Sequence, residues 1–282
     1  MSNYLAFPAP AKLNLELRVV GRREDGYHLL DTDFVFIDRA DTVELALRDD
    51  GAVVLDNPIA GVPAEADLTV RAARLLKEAS GSALGVNIRL TKRIPMGGGL
   101  GGGSSDAATV LVALNRLWGC GLDREALMQL GVQLGADVPV FIFGRAARAQ
   151  GIGERLNEIK VPEAWYVVLK PPVNVPTADI FKNFAQRVLT GKTGFSIIRV
   201  LQTTQQKQND LQSVVCEMYP VVNEALNDLA QYGSPLMTGS GSCVFLECRS
   251  QSQANKIFEA VSRKFDGFVA KGLQAHPLFD KV

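Results

Sequence analysis

The chain has 282 residues, room for one large domain or two ordinary ones, and enough to bury a real core. Hydrophobic residues make up 47% and charged ones 21%, with 13 Pro and 26 Gly, a globular composition that excludes disordered and collagen-like chains. Thirty Lys and Arg balance thirty Asp and Glu, so no global field favours a nucleic-acid backbone or an anionic membrane.

The four cysteines, Cys120, Cys216, Cys243 and Cys248, form no C-x-x-C pair, and neither His28 nor His276 completes a zinc spacing, so no metal site is expected from them. Four thiols are too few for a disulfide scaffold of this size, which fits a reducing, cytoplasmic setting. Pro8, Pro10, Lys12, Asn14 and Glu16 interrupt any apolar run at the N-terminus, and no stretch of 18 apolar residues occurs, so neither an export signal nor a membrane span is expected.

In chain order, Leu13, Leu15, Leu17 and Val19 alternate with polar residues, the period of a half-buried strand, and Lys12, Asn14 and Glu16 share its other face. A turn ending in Asp25-Gly26 leads to strand-like Phe34–Ile37 and then Val43, Leu45 and Leu47, so the first fifty residues read as antiparallel sheet. Asp67 caps a helix with Leu68, Ala72, Leu75 and Ala79 on one face and Gly81 past its end. A strand at Val86, Ile88 and Leu90 precedes a glycine-rich stretch. A second helix follows, with Ala107, Leu111, Leu114 and Trp118 on its face and Gly119 closing it. A third runs from Asp123 to Gly135, leaving Ala136-Asp137-Val138-Pro139 as an exposed bend. Beyond Gly153 the pattern restarts: a strand at Trp165–Leu169, a helical face of Val222, Leu226 and Leu229, a glycine turn at 238–241, a strand at Cys243–Leu246, a helix over Ala254–Phe265 and a strand at Phe268–Ala270. The whole reads as α+β, divided into residues 1–155 and 156–282.

Six of the seven residues from Gly97 to Gly103 are glycine, and Ser104, Ser105 and Asp106 lead into the second helix. Without Cβ atoms, backbone N–H groups can close on an anion, and the helix start adds unsatisfied donors and the positive end of its dipole, which points to bound phosphate. The alternative is a mobile surface loop, but linkers seldom join a clear strand to a clear amphipathic helix. Gly97, Gly99 and Gly102 satisfy G-x-G-x-x-G, yet Lys92, Arg93 and Pro95 intervene after the strand and the sheet is antiparallel, so a dinucleotide fold is not implied. Gly191-Lys192-Thr193 lacks the earlier glycine of a P-loop, its place taken by Gln186.

Pro95-Met96-Gly97-Gly98-Gly99-Leu100-Gly101-Gly102-Gly103-Ser104-Ser105, together with Pro10-Ala11-Lys12-Leu13-Asn14-Leu15 and Thr238-Gly239-Ser240-Gly241, resembles the three signatures of the GHMP kinases. Within that family Asp25-Gly26-Tyr27-His28, Leu134–Phe141 and the overall length are similar to members that phosphorylate a cytidine-diphosphate-linked polyol on the non-mevalonate route to isoprenoid precursors. The resemblance implies a ribosomal-S5-domain-2-like N-terminal half that binds ATP, a ferredoxin-like C-terminal half, and a substrate cleft between them. It also implies ATP and Mg²⁺ and a small-molecule substrate; no nucleic-acid or membrane partner is expected, and a monomer or weak homodimer is.

The resemblance further implies that Asp137 accepts the proton of the attacking hydroxyl, while Lys12 holds that hydroxyl and places a positive charge beside Asp137. Read without it, Asp137 is an N-cap before Pro139 and Lys12 a solvated strand residue. Tyr27 stacking on cytosine, His28 bonding to it and Phe181 on the other ring face are implied in the same way, as are Asn14 and Thr177 around the substrate's hydroxyls and diphosphate. On the nucleotide side the resemblance assigns Leu68 and Lys92 to adenosine. It assigns Pro95, Gly97, Gly98, Gly99, Gly101, Gly102, Gly103, Ser104 and Ser105 to the phosphates. Family members carry Asn where this chain has Asp67; a carboxylate only accepts, so either the adenine contact changes or Asp67 caps the helix alone. Ser104 or Ser105 is placed near Mg²⁺, and without an acidic cluster to form a cage the ion would be held largely by water and phosphate. The rival readings are a kinase for mevalonate, phosphomevalonate or homoserine, and a nucleotide-binding regulator without activity.

Overall fold

The computed structural model describes residues 3–23, 28–189 and 207–280. The Asp25-Gly26 turn, Tyr27 and Gly191-Lys192-Thr193 lie outside them.

Two long strands, β1 (Leu5–Arg22) and β2 (His28–Arg48), pair antiparallel over most of their length, as the opening alternation predicts. β3 (Val53–Leu55) and β4 (Gly85–Thr91) extend the sheet beyond residues 42–48 of β2, and the hairpin β5 (Ala147–Gly151) and β6 (Arg155–Glu158) pairs at residues 30–34. Between these two, β10 (Asp266–Leu273) bonds to Phe36 and Ile37, and through β10 the sheet continues into β7 (Trp165–Lys170), β9 (Val244–Cys248) and β8 (Leu236–Met237). Both halves of the chain therefore hang on β2. The 155/156 division falls inside β6, whose partner β5 pairs with β2.

β1 is not half-solvated. Leu13 and Leu15 pack with Val35, Ile37, Leu100, Tyr166 and Phe245, and Leu17 and Val19 with the C-terminal core. The opposite face, carrying Lys12 and Asn14, is also buried, so the polar alternation marks a cleft floor rather than a solvent face.

Helix α1 (Leu68–Ser80) obeys its punctuation: Asp67 accepts from the Thr69 amide at 2.8 Å, a cap worth about 1 kcal/mol, and Gly81 closes it with φ of 69°. α2 (Gly102–Leu117) buries Ala107, Leu111 and Leu114 against α1 and the β2–β4 face, and α3 (Arg124–Leu134) starts on its Asp123 cap. The bend expected at 136–139 is instead the entry to α4 (Val138–Phe143). Pro139 suits the first turn, where its missing N–H costs nothing, and Val138, Pro139, Val140 and Phe141 are buried.

The C-terminal half adds α5 (Thr177–Leu189), α6 (Gln212–Met218), α7 (Pro220–Ala230) and α8 (Gln251–Val261). The helix expected over 254–265 begins and ends earlier, because Ser250 caps the Gln253 amide and Phe265 packs into the core after the helix has stopped. Among the described residues no helix is long and apolar enough to cross a membrane.

Candidate active site

A cleft of about 560 Å³ opens where β1, the glycine loop, α1, α4, α5 and the 238–241 turn converge. The loop's path is dictated by close approaches. Gly99 has φ of 74°, and a Cβ there would overlap the Thr238 carbonyl oxygen. Gly101 has φ of 72°, and a Cβ would sit 2.9 Å from the Phe141 ring and 3.2 Å from Lys12 Cε. Two backbone bonds lock the loop to its neighbours, Lys12 N to Leu100 O at 3.0 Å and Cys243 N to Gly98 O at 3.1 Å.

α2 begins on Gly101 with no side chain capping its first turn, and Gly97 through Ser104 all line the cleft. Uncapped amides and the dipole end thus face open space, the arrangement that receives phosphate oxygens. Ser105 differs: its side chain is buried and does not reach the cleft.

Beside the loop, Lys12 Nζ lies 3.3 Å from Asp137 Oδ2, with side-chain exposures of 3% and 38%. Lys12 is thus no solvated strand residue. Its ammonium also donates to Asn14 Oδ1 at 2.5 Å and sits 5.2 Å from the Phe34 ring centroid. Asp137 occupies the N-cap position of α4 yet accepts no bond from the helix amides; its carboxylate turns to Lys12 and the cleft. Asn14 is oriented by Thr32, which accepts from its Nδ2 at 2.8 Å, and the Asn14 backbone N–H donates to Thr238 Oγ1 at 3.0 Å. Thr238, expected only as part of a glycine motif, therefore ties the third signature to the first. Asn209 holds that turn from behind, donating to Met237 O and Gly239 O at 2.7 and 2.8 Å, and no sequence pattern marks it.

α5 carries Thr177 and Phe181, four residues apart and on one face lining the cleft, while Ile180 and Phe184 are buried. Thr177 Oγ1 lies 2.7 Å from Ser240 Oγ. Phe181 stacks on His28 with centroids 5.1 Å apart, beside a side cavity that both line with Arg22 and Lys182. Burial and Arg22 hold the His28 pKa below its ordinary value.

On the loop's far side Leu68, Lys92, Pro95 and Asp67 line the cleft. Asp67 spends one oxygen on both the amide and hydroxyl of Thr69, so its cap is made while it remains on the cleft wall. Lys92 Nζ contacts Asp41 Oδ2 and lies 2.6 Å from Asp106 Oδ2. Burial, with Asp41 nearby, pushes the Asp106 carboxyl up to about 7 against the opposing pull of Lys92; burial works against the Lys92 ammonium, but Asp106 and Asp41 raise its pKa overall. Cys243, packed beneath Gly98, is pushed up to about 12 by burial, which leaves it an inert thiol.

The GHMP kinase N-terminal domain family matches residues 67–145, and the GHMP kinase C-terminal family matches residues 197–267. A 4-diphosphocytidyl-2-C-methyl-D-erythritol kinase from Chromobacterium violaceum is 63% identical, with 98% of each chain covered. The chain belongs to the GHMP kinase family. A 4-diphosphocytidyl-2-C-methyl-D-erythritol kinase from Neisseria meningitidis is 53% identical to this GHMP kinase over 97% of this chain and 96% of the relative. A crystal structure of 4-(cytidine 5'-diphospho)-2C-methyl-D-erythritol kinase superposes with a TM-score of 0.77 at 34% identity, covering 95% of this GHMP kinase and 99% of that chain. A homoserine kinase from Cytophaga hutchinsonii, at 20% identity and a TM-score of 0.65 over 98% and 96% of the two chains, shares the fold.

Proposed function

We propose that the chain transfers the γ-phosphate of ATP to the 2-hydroxyl of 4-diphosphocytidyl-2-C-methyl-D-erythritol, on the non-mevalonate route to isoprenoid precursors. The observation that carries the reading is the Lys12–Asp137 pair, at 3.3 Å, lining the same cleft as the uncapped amides of the glycine loop. Phosphoryl transfer needs an acceptor oxygen in line with the γ-phosphate, compensation of negative charge, and a place for the hydroxyl proton. In this reading the loop amides and the start of α2 hold the phosphates, Lys12 orients the acceptor hydroxyl, and Asp137 takes its proton.

The names of the relatives supply the substrate, and the cleft supplies chemistry to suit it. Asn14 and Thr177 are proposed to bond the polyol and diphosphate, and Phe181 with His28 to receive the cytosine. Tyr27 is proposed for the same ring, and Leu68 and Lys92 for adenosine. Among the described residues no group of three or more acidic, imidazole or thiol side chains offers a metal cage. That donor set suits Mg²⁺ bound mainly through phosphate oxygens and water, with the Ser104 hydroxyl as a protein partner. Bound there, the ion would neutralise phosphate charge.

Residues 1–155 are proposed as the nucleotide half and 156–282 as the C-terminal half, with β6 between them remaining with its hairpin. A monomer or weak homodimer in the cytoplasm is proposed with it. The test is coupled ADP release with the cytidylylated polyol beside mevalonate, phosphomevalonate and homoserine. Rapid release with the first alone is expected; turnover of a substrate lacking the base, or of none, would overturn the reading.

A further inference from the structure

Asp41 lies in β2, fully buried, where β2 and β4 stop pairing and the chain leaves for the glycine loop. Three donors converge on its carboxylate. The amides of Arg93 and Ile94 both bond to Oδ1, the latter at 2.8 Å, and the Lys92 ammonium bonds to Oδ2. Lys92 and Ile94 both line the cleft described above, but of the two only Lys92 brings a charge to it; its ammonium bonds Asp106 Oδ2 at 2.6 Å and lies 3.4 Å from where a Cβ on Gly102 would be.

An ammonium has three donors on a flexible stem. Two buried carboxylates take two of them and so fix the head group beneath the first turn of α2. We propose that Asp41 is a positioning residue of the nucleotide site, acting through Lys92 to present that ammonium to ATP at the mouth of the glycine loop. The proposal rests on the reading of the loop as the ATP site.

Asparagine at position 41 keeps the size and one acceptor but turns an NH₂ donor toward one of three donors, so the arrangement cannot survive intact. The alternative is that Asp41 only anchors residues 93 and 94, a structural role that would not pass through Lys92. Binding of a non-hydrolysable ATP analogue, measured by calorimetry on the full chain, separates the two. Asp41→Asn is expected to weaken the analogue about tenfold while KM for the cytidylylated polyol stays within about twofold. In a Lys92→Met background the same substitution should change analogue affinity by less than about twofold, because the residue it acts through is gone.

Unchanged analogue affinity in Asp41→Asn, or an equal loss in both backgrounds, would overturn the proposal. If Asp41→Asn does not yield folded protein, Asp41→Glu keeps the charge and displaces it by one methylene. The same about tenfold loss and the same collapse in the Lys92→Met background are then expected, and their absence overturns the proposal. Wild-type protein that fails to bind the analogue would instead overturn the reading of the loop, and this proposal with it.

Discussion

Lys12 and Asp137 meet from elements that share no local sequence, with the ammonium sealed at 3% exposure and the carboxylate open at 38%. That asymmetry gives the pair a direction. Asn14 holds the ammonium from behind at 2.5 Å, so its remaining hydrogen-bonding capacity is confined to the cleft, while Asp137, free of any capping duty, can receive a proton from a bound hydroxyl. With the ammonium buried, the pair is no exposed salt bridge, and removing the carboxylate would leave a buried charge short of a partner. Its geometry serves orientation.

The glycine loop's approach to the 238–241 turn is testable at one position. Gly99→Ala forces a side chain into a left-handed conformation, at about 1–2 kcal/mol, and against the Thr238 carbonyl. Because Thr238 also orders Asn14, turnover should fall by at least about tenfold, together with a lower Tm. Steady-state kinetics and thermal melting of the variant check both.

Phe181 lines the cleft and stacks on His28 at 5.1 Å. Removing the ring in Phe181→Ala should raise KM for the cytidylylated polyol about tenfold, the scale of base–aromatic stacking, and leave KM for ATP unchanged. A rise in both constants would place the ring outside the base pocket.

His276 is caged by Phe36, Phe141 and Phe279, accepts from the Leu278 amide at 3.1 Å, and has its pKa lowered to about 3 by burial. A folded-state pKa below the unfolded value of about 6.5 means the unfolded chain binds the extra proton. The neutral imidazole's contribution is therefore complete above about pH 6.5 and lost as pH falls toward 3, at up to about 1.4 kcal/mol per pH unit. His276→Gln should flatten this acid limb in denaturant titrations at a series of pH values; an unchanged slope would assign the acid sensitivity elsewhere.

Much of this architecture was legible in the sequence where local chemistry decides it. Asp67 and Gly81 bound α1 as their types require, and the alternation from Leu13 to Val19 is a strand. The alternation could not tell solvent from cleft, because Lys12 and Asn14 look the same on either face until α4, the loop and the 238–241 turn cover them. The short α4 was hidden because Pro139 signals both a bend and a first helical turn. α5 escaped notice although Pro176 precedes it and Ile180 and Phe184 are spaced by four. The phosphate loop was visible because glycine density is a local property. Asp41, Thr32 and Asn209 were not, because each acts through partners distant in sequence that only the folded sheet brings together.

In the proposed reaction Asp137 receives the acceptor proton beside Lys12, a capacity that Asp137→Asn removes. Turnover of the cytidylylated polyol and calorimetric binding of an ATP analogue should be measured on the same preparation. A fall in kcat of about 10²–10⁴-fold with analogue affinity unchanged is expected; near-normal kcat in a folded variant would mean that Asp137 does not take the proton.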